Sequence, residues 1–211
     1  SGAAGPQNTP QPTSDRFGNA QSAMNFDGND DMLSGSAASI LPSGAATRTG
    51  CAWSLTTLDP GNGNAQGLMA YGTNSANQTF GIYPFHSVSD TFMLGAYTSS
   101  STFFYALLPG NGWPLNQWVH YCIVVNGATA IEYYMNGIKF NQSGASASPP
   151  SVNTVLSLFR IGTSMSGASS SAATPIATPS ASESARFIGS DGRNRGPSRA
   201  RCVKRTTAAQ S

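Results

Sequence analysis

The stretch from Trp118 to Phe140, WVHYCIVVNGATAIEYYMNGIKF, decides the fold. Its first β-rich run, Trp118 to Val125, precedes the dipeptide Asn126-Gly127, and its second, Ala130 to Met135, precedes Asn136-Gly137. Asn-Gly suits the left-handed backbone of a type I′ turn, which joins neighbouring antiparallel strands. The stretch therefore predicts a three-strand meander with two tight hairpins.

Short β-rich runs separated by turn residues continue on both sides of this meander. Only 9% of the 211 residues are charged, and Gly (23) and Pro (13) are abundant, which favours strands and turns over long surface helices. About nine short strands with no convincing helix predict an all-β protein, a two-sheet antiparallel β-sandwich. The further predicted strands are Ala23–Phe26, Arg48–Leu58, Gln66–Gly72, Thr79–Phe85, Phe92–Thr98, Thr102–Leu108 and Ser151–Ile161.

Charge and aromatic content divide the chain into three parts. Residues 1–14, rich in Gly, Pro, Gln and Thr, are typical of a linker or loop. Residues 15–164 carry nearly all the aromatic side chains, and residues 1–164 together have a net charge of −3. Residues 165–211 have a net charge of +5 and contain only one aromatic residue, Phe187. We therefore predict a β-sandwich over 15–164 and a low-complexity basic tail over 165–211.

Several short motifs follow one another in a distinctive order. They are Asp15 to Ala20 (DRFGNA), Ala23 to Asp31 (AMNFDGNDD), Ala52-Trp53, Gly67 to Gly72 (GLMAYG), the Trp118-Val119-His120 and Tyr134 to Gly137 pair, and Leu158 to Gly162. Together they resemble a laminin G-like domain of the concanavalin A-like lectin/glucanase superfamily, over roughly Ser14 to Ser164. The resemblance implies a two-sheet jelly roll.

Two cysteines lie in segments that resemble pentraxins, which are relatives in the same superfamily. Gly50-Cys51-Ala52-Trp53 and His120-Tyr121-Cys122 are similar to the two pentraxin strands that carry half-cystines. The resemblance implies a Cys51–Cys122 disulfide, and a disulfide in turn predicts an oxidising compartment. The alternative is two buried free thiols. If the disulfide forms, Cys202 is left unpaired in the basic tail.

The two ends of the chain depart from the family pattern. The family's first strand has no counterpart in Ser1 to Ser14, and its closing strand is absent from 165–211. With one permissible set of codons, Ala185 to Pro197 shifted by one base resembles the family ending, so we hypothesise that the tail is frameshifted. The coding DNA tests this hypothesis.

The tail also bears on the partners that we expect. Its basic residues offer positive charge to phosphate, but a frameshift accounts for the same residues, so we do not expect a nucleic-acid partner. The apolar runs are far shorter than the roughly 18 residues that cross a bilayer, so we expect no membrane span. The basic residues concerned are Arg193, Arg195, Arg199, Arg201, Lys204 and Arg205.

The sequence does not predict an enzyme. A glycosidase needs two positioned carboxylates, and Glu132 is the only Glu before residue 165, with no second acid beside it in its strand. His86 and His120 are the only histidines, no G-x-S-x-G motif is present, and zinc-ligand spacings are missing. His120, at the family's W-x-H position, is predicted to be a packed structural residue.

Two groups of residues are candidates for binding. Carboxylate and amide oxygens of Asp27, Asn29, Asp30 and Asp31 form a candidate Ca²⁺ site, and the alternative is an Asx-rich β-turn that ends a strand. For a glycan we predict exposed aromatic rings and a nearby amide, with Trp53 and Trp118 assigned to the core instead. The predicted glycan-binding residues are Trp113, Asn111, Tyr83 and Tyr97.

Fold and sites together predict an extracellular or cell-surface module that recognises a glycan or a protein, in adhesion or lectin-like binding, as one piece of a larger polypeptide. The main alternative is a structural module of a surface assembly or fibre, as a homo-oligomer or with neighbouring subunits. A glycoside hydrolase is the third possibility, and the missing carboxylates argue against it.

Overall fold

The protein is described by a computed structural model, which covers residues 9–28, 30–37, 41–59, 66–75, 77–86, 92–97, 103–107, 114–127, 130–140, 142–145, 152–162 and 174–177. These residues form fourteen β-strands and no helix. Within these ranges there is accordingly no helix with the length and apolar character needed to cross a bilayer.

The strands are short, as the spacing of turn residues predicts. In chain order they are β1 (Gln11–Thr13), β2 (Ala23–Phe26), β3 (Leu33–Ser36), β4 (Arg48–Leu55), β5 (Met69–Gly72), β6 (Thr79–His86), β7 (Phe92–Tyr97), β8 (Phe103–Leu107), β9 (Trp118–Asn126), β10 (Ala130–Met135), β11 (Ile138–Phe140), β12 (Gln142–Ala145), β13 (Leu158–Ile161) and β14 (Thr174–Ala177).

Two seven-stranded sheets face each other. The first sheet has the order β1-β2-β14-β4-β9-β10-β11, and the second has the order β12-β8-β7-β6-β5-β13-β3. All pairings between these strands are antiparallel. The predicted two-sheet antiparallel β-sandwich is confirmed.

The meander that decides the fold forms as predicted, with one difference in its turns. β9 pairs with β10 from Tyr121↔Met135 to Asn126↔Ala130, and β10 pairs with β11 from Tyr133↔Phe140 to Met135↔Ile138. Asn136 (φ 50°) and Gly137 (φ 81°) both have the positive φ of a type I′ turn. The first turn is longer, because residues 127–129 separate the paired Asn126 and Ala130.

The sandwich extends beyond the predicted boundaries at residues 15 and 164. β1, from the segment interpreted as a linker, pairs with β2 at one edge of the first sheet. β14, from the segment interpreted as a tail, pairs with β2 on one side and with β4 on the other. The expectation that both terminal strands are missing is therefore wrong. β1 and β14 become strands because their backbones form hydrogen bonds with β2 and β4. The pattern of hydrophobic residues in the sequence predicts neither strand.

The core lies between the sheets and is built by alternation along each strand. In β9, Val119, Tyr121, Ile123 and Val125 are buried, while the residues between them are only partly covered. Strand β4 faces the same core through Gly50, where an added Cβ would lie 2.8 Å from the Phe80 ring. The two sheets approach closely at this position because glycine has no side chain.

Arg48 is a charged residue inside this core and is only 1% exposed. Its guanidinium donates to six uncharged oxygens, the shortest contacts being 2.6 Å to Thr154 Oγ1 and 2.6 Å to the Gly44 carbonyl. Tyr71 accepts one of these bonds and donates its hydroxyl to the Pro42 carbonyl at 3.0 Å. Arg48 thus ties the segment before β4 to the second sheet and to Thr154.

Candidate functional site

The outer face of the first sheet is the side of β4 and β9 that points away from the core. Because antiparallel partners lie directly opposite each other, the pairs Cys51↔Cys122 and Trp53↔His120 form two adjacent rungs on this face. Trp53 was predicted to be in the core, and that prediction is wrong. Alternation along β4 places Ser54 inside and Trp53 outside.

The first of these two pairs, Cys51↔Cys122, is a disulfide. Cys51 and Cys122 are bonded and their Cα atoms are 4.2 Å apart, which is the close spacing of directly opposed residues in an antiparallel pair. Cys51 is exposed and Cys122 is partly buried. The disulfide implied by the resemblance is therefore present, and the alternative of two free thiols is wrong.

The second pair, Trp53↔His120, is an aromatic stack. The His120 and Trp53 ring centroids are 4.8 Å apart with their planes 28° from parallel. The His120 ring also touches the disulfide, with Nε2 3.5 Å from Cys122 Sγ. His120 is a packed residue, as predicted, but it packs on the outer face of the sheet.

The turn between β1 and β2 covers this stack. The Arg16 guanidinium lies 4.3 Å from the centre of the Trp53 ring and 4.2 Å from the centre of the Phe17 ring. Phe17 itself is 69% exposed. We call Arg16, Phe17, Trp53 and His120 the outer-face cluster.

The turn that presents Arg16 and Phe17 is held by a network around Asp15. The Asp15 carboxylate accepts hydrogen bonds from the backbone N–H groups of Phe17 and Asn19 at 2.9 Å each and from the Asn19 side chain at 3.0 Å. The hydrogen bond from the Asn19 side chain holds the pKa of Asp15 below its ordinary value. Gly18 (φ 82°) supplies the left-handed residue of the turn. The exposed Phe17 therefore projects from an ordered turn.

Sequence reasoning missed this cluster, although a signal for it exists. Once Cys51 and Cys122 are paired in an antiparallel ladder, Trp53 and His120 must face each other, because each lies two residues along its strand. The contribution of Arg16 has no such signal, since it depends on how the β1–β2 turn folds over the sheet.

Glu132 lies on the outer face of β10, on the same sheet. It accepts hydrogen bonds from Lys139 Nζ at 2.5 Å and from the Tyr134 hydroxyl at 2.7 Å. The bond from Lys139, and then that from Tyr134, lowers the pKa of Glu132. The carboxylate is therefore stabilised in its charged form, which is unsuited to a general acid.

The predicted Ca²⁺ residues are partly brought together. The carboxylate oxygens of Asp27, Asp30 and Asp31 lie within 4.8 Å of one another, and Asn29 lies outside the described residues. Burial, followed by repulsion from Asp27 and Asp30, raises the pKa of Asp31, while a hydrogen bond from the Asp27 backbone opposes the rise. Both a cation site and a turn are compatible with this arrangement, so Ca²⁺ binding stays a prediction.

The predicted glycan residues have mixed positions. Tyr83 lies in β6, a strand covered on both faces, and is 4% exposed, so its proposed role as an exposed platform is wrong. Tyr97 belongs to β7, and only its backbone is described. Trp113 and Asn111 lie outside the described residues. Their role in binding stays a prediction.

Comparison with known proteins identifies the architecture. Residues 27–190 match the family described as the concanavalin A-like lectin/glucanases superfamily. No significant match to a curated protein was found.

Several solved structures are similar to this chain at low sequence identity. Tailspike protein 2 of Escherichia coli O157:H7 bacteriophage CAB120 has a TM-score of 0.55 and 13% identity, over 78% of this chain and 23% of the tailspike. The binding domain of Paraclostridial Mosquitocidal Protein 1 has a TM-score of 0.54 and 12% identity, over 81% and 41%. A heptameric SAP-like pentraxin from Limulus polyphemus has a TM-score of 0.45 and 18% identity, over 64% and 63%. The chain thus spans less than two thirds of each of these structures.

Proposed function

Because the chain belongs to the concanavalin A-like lectin/glucanases superfamily, we propose that it is an extracellular binding module for a glycan or a protein, with the outer-face cluster in its contact surface. The observation that carries this proposal is the ordered turn that holds Phe17 69% exposed beside Arg16 and Trp53. Aromatic and arginine side chains dominate the energy of protein contacts, and fixed rings bind with little loss of side-chain entropy.

The same surface suits either ligand class. The open part of the Phe17 ring can pack against the apolar face of a sugar or of a protein side chain. The Arg16 guanidinium beside it can donate hydrogen bonds to hydroxyl, carbonyl or carboxylate oxygens. The disulfide supports an extracellular location, since disulfides persist in oxidising compartments. The fold is shared with the binding domain of Paraclostridial Mosquitocidal Protein 1, which is consistent with a binding role.

The test is a glycan array and a panel of extracellular proteins probed with the full chain and with Phe17→Ala. We expect the wild-type chain to bind a defined set of ligands and Phe17→Ala to weaken that binding by tenfold or more. Leu58→Ala is the matched control, because Leu58 is 62% exposed but lies outside the cluster. Equal affinity of the two variants would remove Phe17 from the contact surface.

Two further arms address the residues predicted for glycan and Ca²⁺ binding. Trp113→Ala, measured on the same array, tests the loop aromatic. Repeating the wild-type measurement with a chelator in place of Ca²⁺ tests the group Asp27, Asp30 and Asp31. Binding that is insensitive to both changes would leave the outer-face cluster as the contact surface without a role for Trp113 or Ca²⁺.

We propose further that the chain is not a glycoside hydrolase. Glu132 is bound by Lys139 and Tyr134, and this environment favours the charged carboxylate over a proton donor. Hydrolysis of β-glucans by the purified chain would overturn this part of the proposal.

A structural module is the second candidate, and the sheet edges favour it. Among the described residues, β1 and β11 are the edge strands of the first sheet, and β12 and β3 are the edge strands of the second. Each edge strand can offer backbone N–H and C=O groups to a strand of a neighbouring subunit. Light scattering of the purified chain distinguishes the candidates. Stable polymers without any ligand on the arrays would support the structural role.

A further inference from the structure

We propose that reduction of the Cys51–Cys122 disulfide converts the outer face of the first sheet into a binding site for a thiolate-preferring divalent cation such as Zn²⁺. The ligands are the two cysteine sulfurs and the His120 imidazole. This inference goes beyond the binding function proposed above and does not depend on it.

The three ligand groups are already close together. Cys51 Sγ, Cys122 Sγ and a ring nitrogen of His120 lie within 4.8 Å of one another, and His120 Nε2 is 3.5 Å from Cys122 Sγ. Tetrahedral zinc binds sulfur at about 2.3 Å and imidazole nitrogen at about 2.0 Å, which places these two ligand atoms about 3.5 Å apart. The distance between Cys122 Sγ and His120 Nε2 therefore already matches that of two ligands on one zinc ion, and the third ligand, Cys51 Sγ, lies within 4.8 Å of Cys122 Sγ and of a His120 ring nitrogen.

The backbone keeps the two sulfurs within range after the disulfide opens. Cys51 and Cys122 are one of eight directly opposed residue pairs between β4 and β9, with paired residues on both sides. Their Cα atoms are 4.2 Å apart. Rotation about the Cα–Cβ bonds can separate the sulfurs to the roughly 3.8 Å that two thiolates adopt on one tetrahedral zinc ion, with no shift of the strands.

The position on the sheet leaves the site accessible. Cys51 is exposed, so a reductant can reach the disulfide, and His120 and Cys122 are partly buried. Three protein ligands leave the fourth zinc position for water. Two thiolates with one imidazole are soft donors that favour Zn²⁺ over Ca²⁺ or Mg²⁺.

A dithiol can supply the two electrons that reduce the Cys51–Cys122 disulfide. A thiolate of the dithiol attacks one cysteine sulfur, the S–S bond breaks, and the second cysteine leaves as a thiolate. The second sulfur of the dithiol then displaces the first cysteine and forms the reductant's own disulfide, so two electrons have passed to the protein. Zn²⁺ replaces the protons of the two thiols, which go to solvent.

The experiment uses the full chain with Cys202→Ser, so that the only thiols after reduction are the proposed ligands. Protein reduced with a phosphine, which is then removed without oxygen, is titrated with Co²⁺ and afterwards with Zn²⁺. We expect one Co²⁺ per chain, with thiolate charge-transfer absorption and tetrahedral bands that Zn²⁺ abolishes. The oxidised protein is the matched control and should show none of these bands.

Variants separate the three-ligand site from a simple pair of thiols. His120→Ala, in the same background, should weaken Co²⁺ affinity by at least about tenfold. Tyr134→Phe changes a cross-strand neighbour of Cys122 that is not a proposed ligand and should leave the affinity unchanged. Equal affinity for His120→Ala and the reduced parent would overturn the site, as would the absence of bands.

Circular dichroism of the reduced protein is measured in parallel. We expect the β-sheet signal to persist, because the ladder holds the ligands in place. Loss of that signal on reduction would overturn the proposal, since the site requires strands β4 and β9 to stay paired.

Discussion

Arg48 and Arg16 reach opposite faces of strand β4 and place the same guanidinium group in different surroundings. Arg48 lies between the sheets and donates to six uncharged oxygens. Arg16 lies over the rings of Phe17 and Trp53 on the outer face. Burial of a charge is tolerated only when hydrogen bonds replace its hydration. Arg48 is therefore a determinant of folding, and Arg16 is suited to contact with a ligand.

The largest effect on stability should come from loss of the Cys51–Cys122 disulfide on the outer face, because this bond also constrains the unfolded chain. Replacement of both cysteines, Cys51→Ser with Cys122→Ser, removes a link across 71 positions. Loss of that constraint should lower the free energy of unfolding by about 4 kcal/mol in the chain-entropy model. Urea denaturation of the oxidised wild type and the double variant measures the difference. Identical midpoints would show that the disulfide contributes nothing to stability.

The second effect tests the inner arginine directly. Arg48→Met fills a similar volume but removes the donor to the Tyr71 and Thr154 hydroxyls, and it leaves the Pro42 and Gly44 carbonyls with one donor each. We expect a loss of about 3 kcal/mol in the free energy of unfolding, from several lost hydrogen bonds, including those that the two buried hydroxyls accept.

Arg16→Met is the matched control on the outer face. It should cost less than about 1 kcal/mol in the same denaturation experiment, since an exposed cation–π contact is weak. If Arg16→Met were as destabilising as Arg48→Met, the division between a folding face and a contact face would fail.

The smallest effect concerns the outer ion pair of Glu132 with Lys139. Hydrogen bonds from Lys139 and Tyr134 lower the pKa of Glu132, so the pair stabilises the fold above about pH 4.3, the ordinary pKa of Glu, and this contribution disappears as the pH falls through the lowered value. Because the pair is exposed, its contribution should stay below about 1 kcal/mol.

Thermal melts between neutral and acidic pH test this expectation. The wild-type chain should lose slightly more stability on acidification than Glu132→Gln, whose amide does not titrate. A larger loss in the variant would contradict the assigned direction.

The sequence predicts the strands that carry β-rich runs and fails for those that do not. β9 alternates between buried and partly covered residues from Trp118 to Val125, and β2 and β10 have the predicted bounds. β3 (LSGS) and β14 (TPIA) each contain only one large apolar residue and no β-rich run, and pairing with neighbouring strands makes them strands.

The candidate site is less predictable than the fold, for a physical reason. Hydrophobicity alone places Trp53 in the core, whereas register places it opposite His120 on the outer face. Register follows from the cysteine pairing, but the approach of Arg16 depends on a turn whose hydrogen bonds converge on a single carboxylate, Asp15. The group of Asp27, Asp30 and Asp31, by contrast, can be predicted from the sequence, because its members lie within five residues of one another.

Strand β14 has a consequence for the synthesis of this protein. It separates β2 from β4 in the first sheet, although nearly 120 residues of chain lie between Ser54 and Thr174. A ribosome-bound chain that has emerged only as far as residue 164 therefore has a gap of one strand in the middle of this sheet. The pair β1–β2 can join the rest of this sheet only after residues 174–177 emerge, so the sheet closes only once all the other described strands have been synthesised.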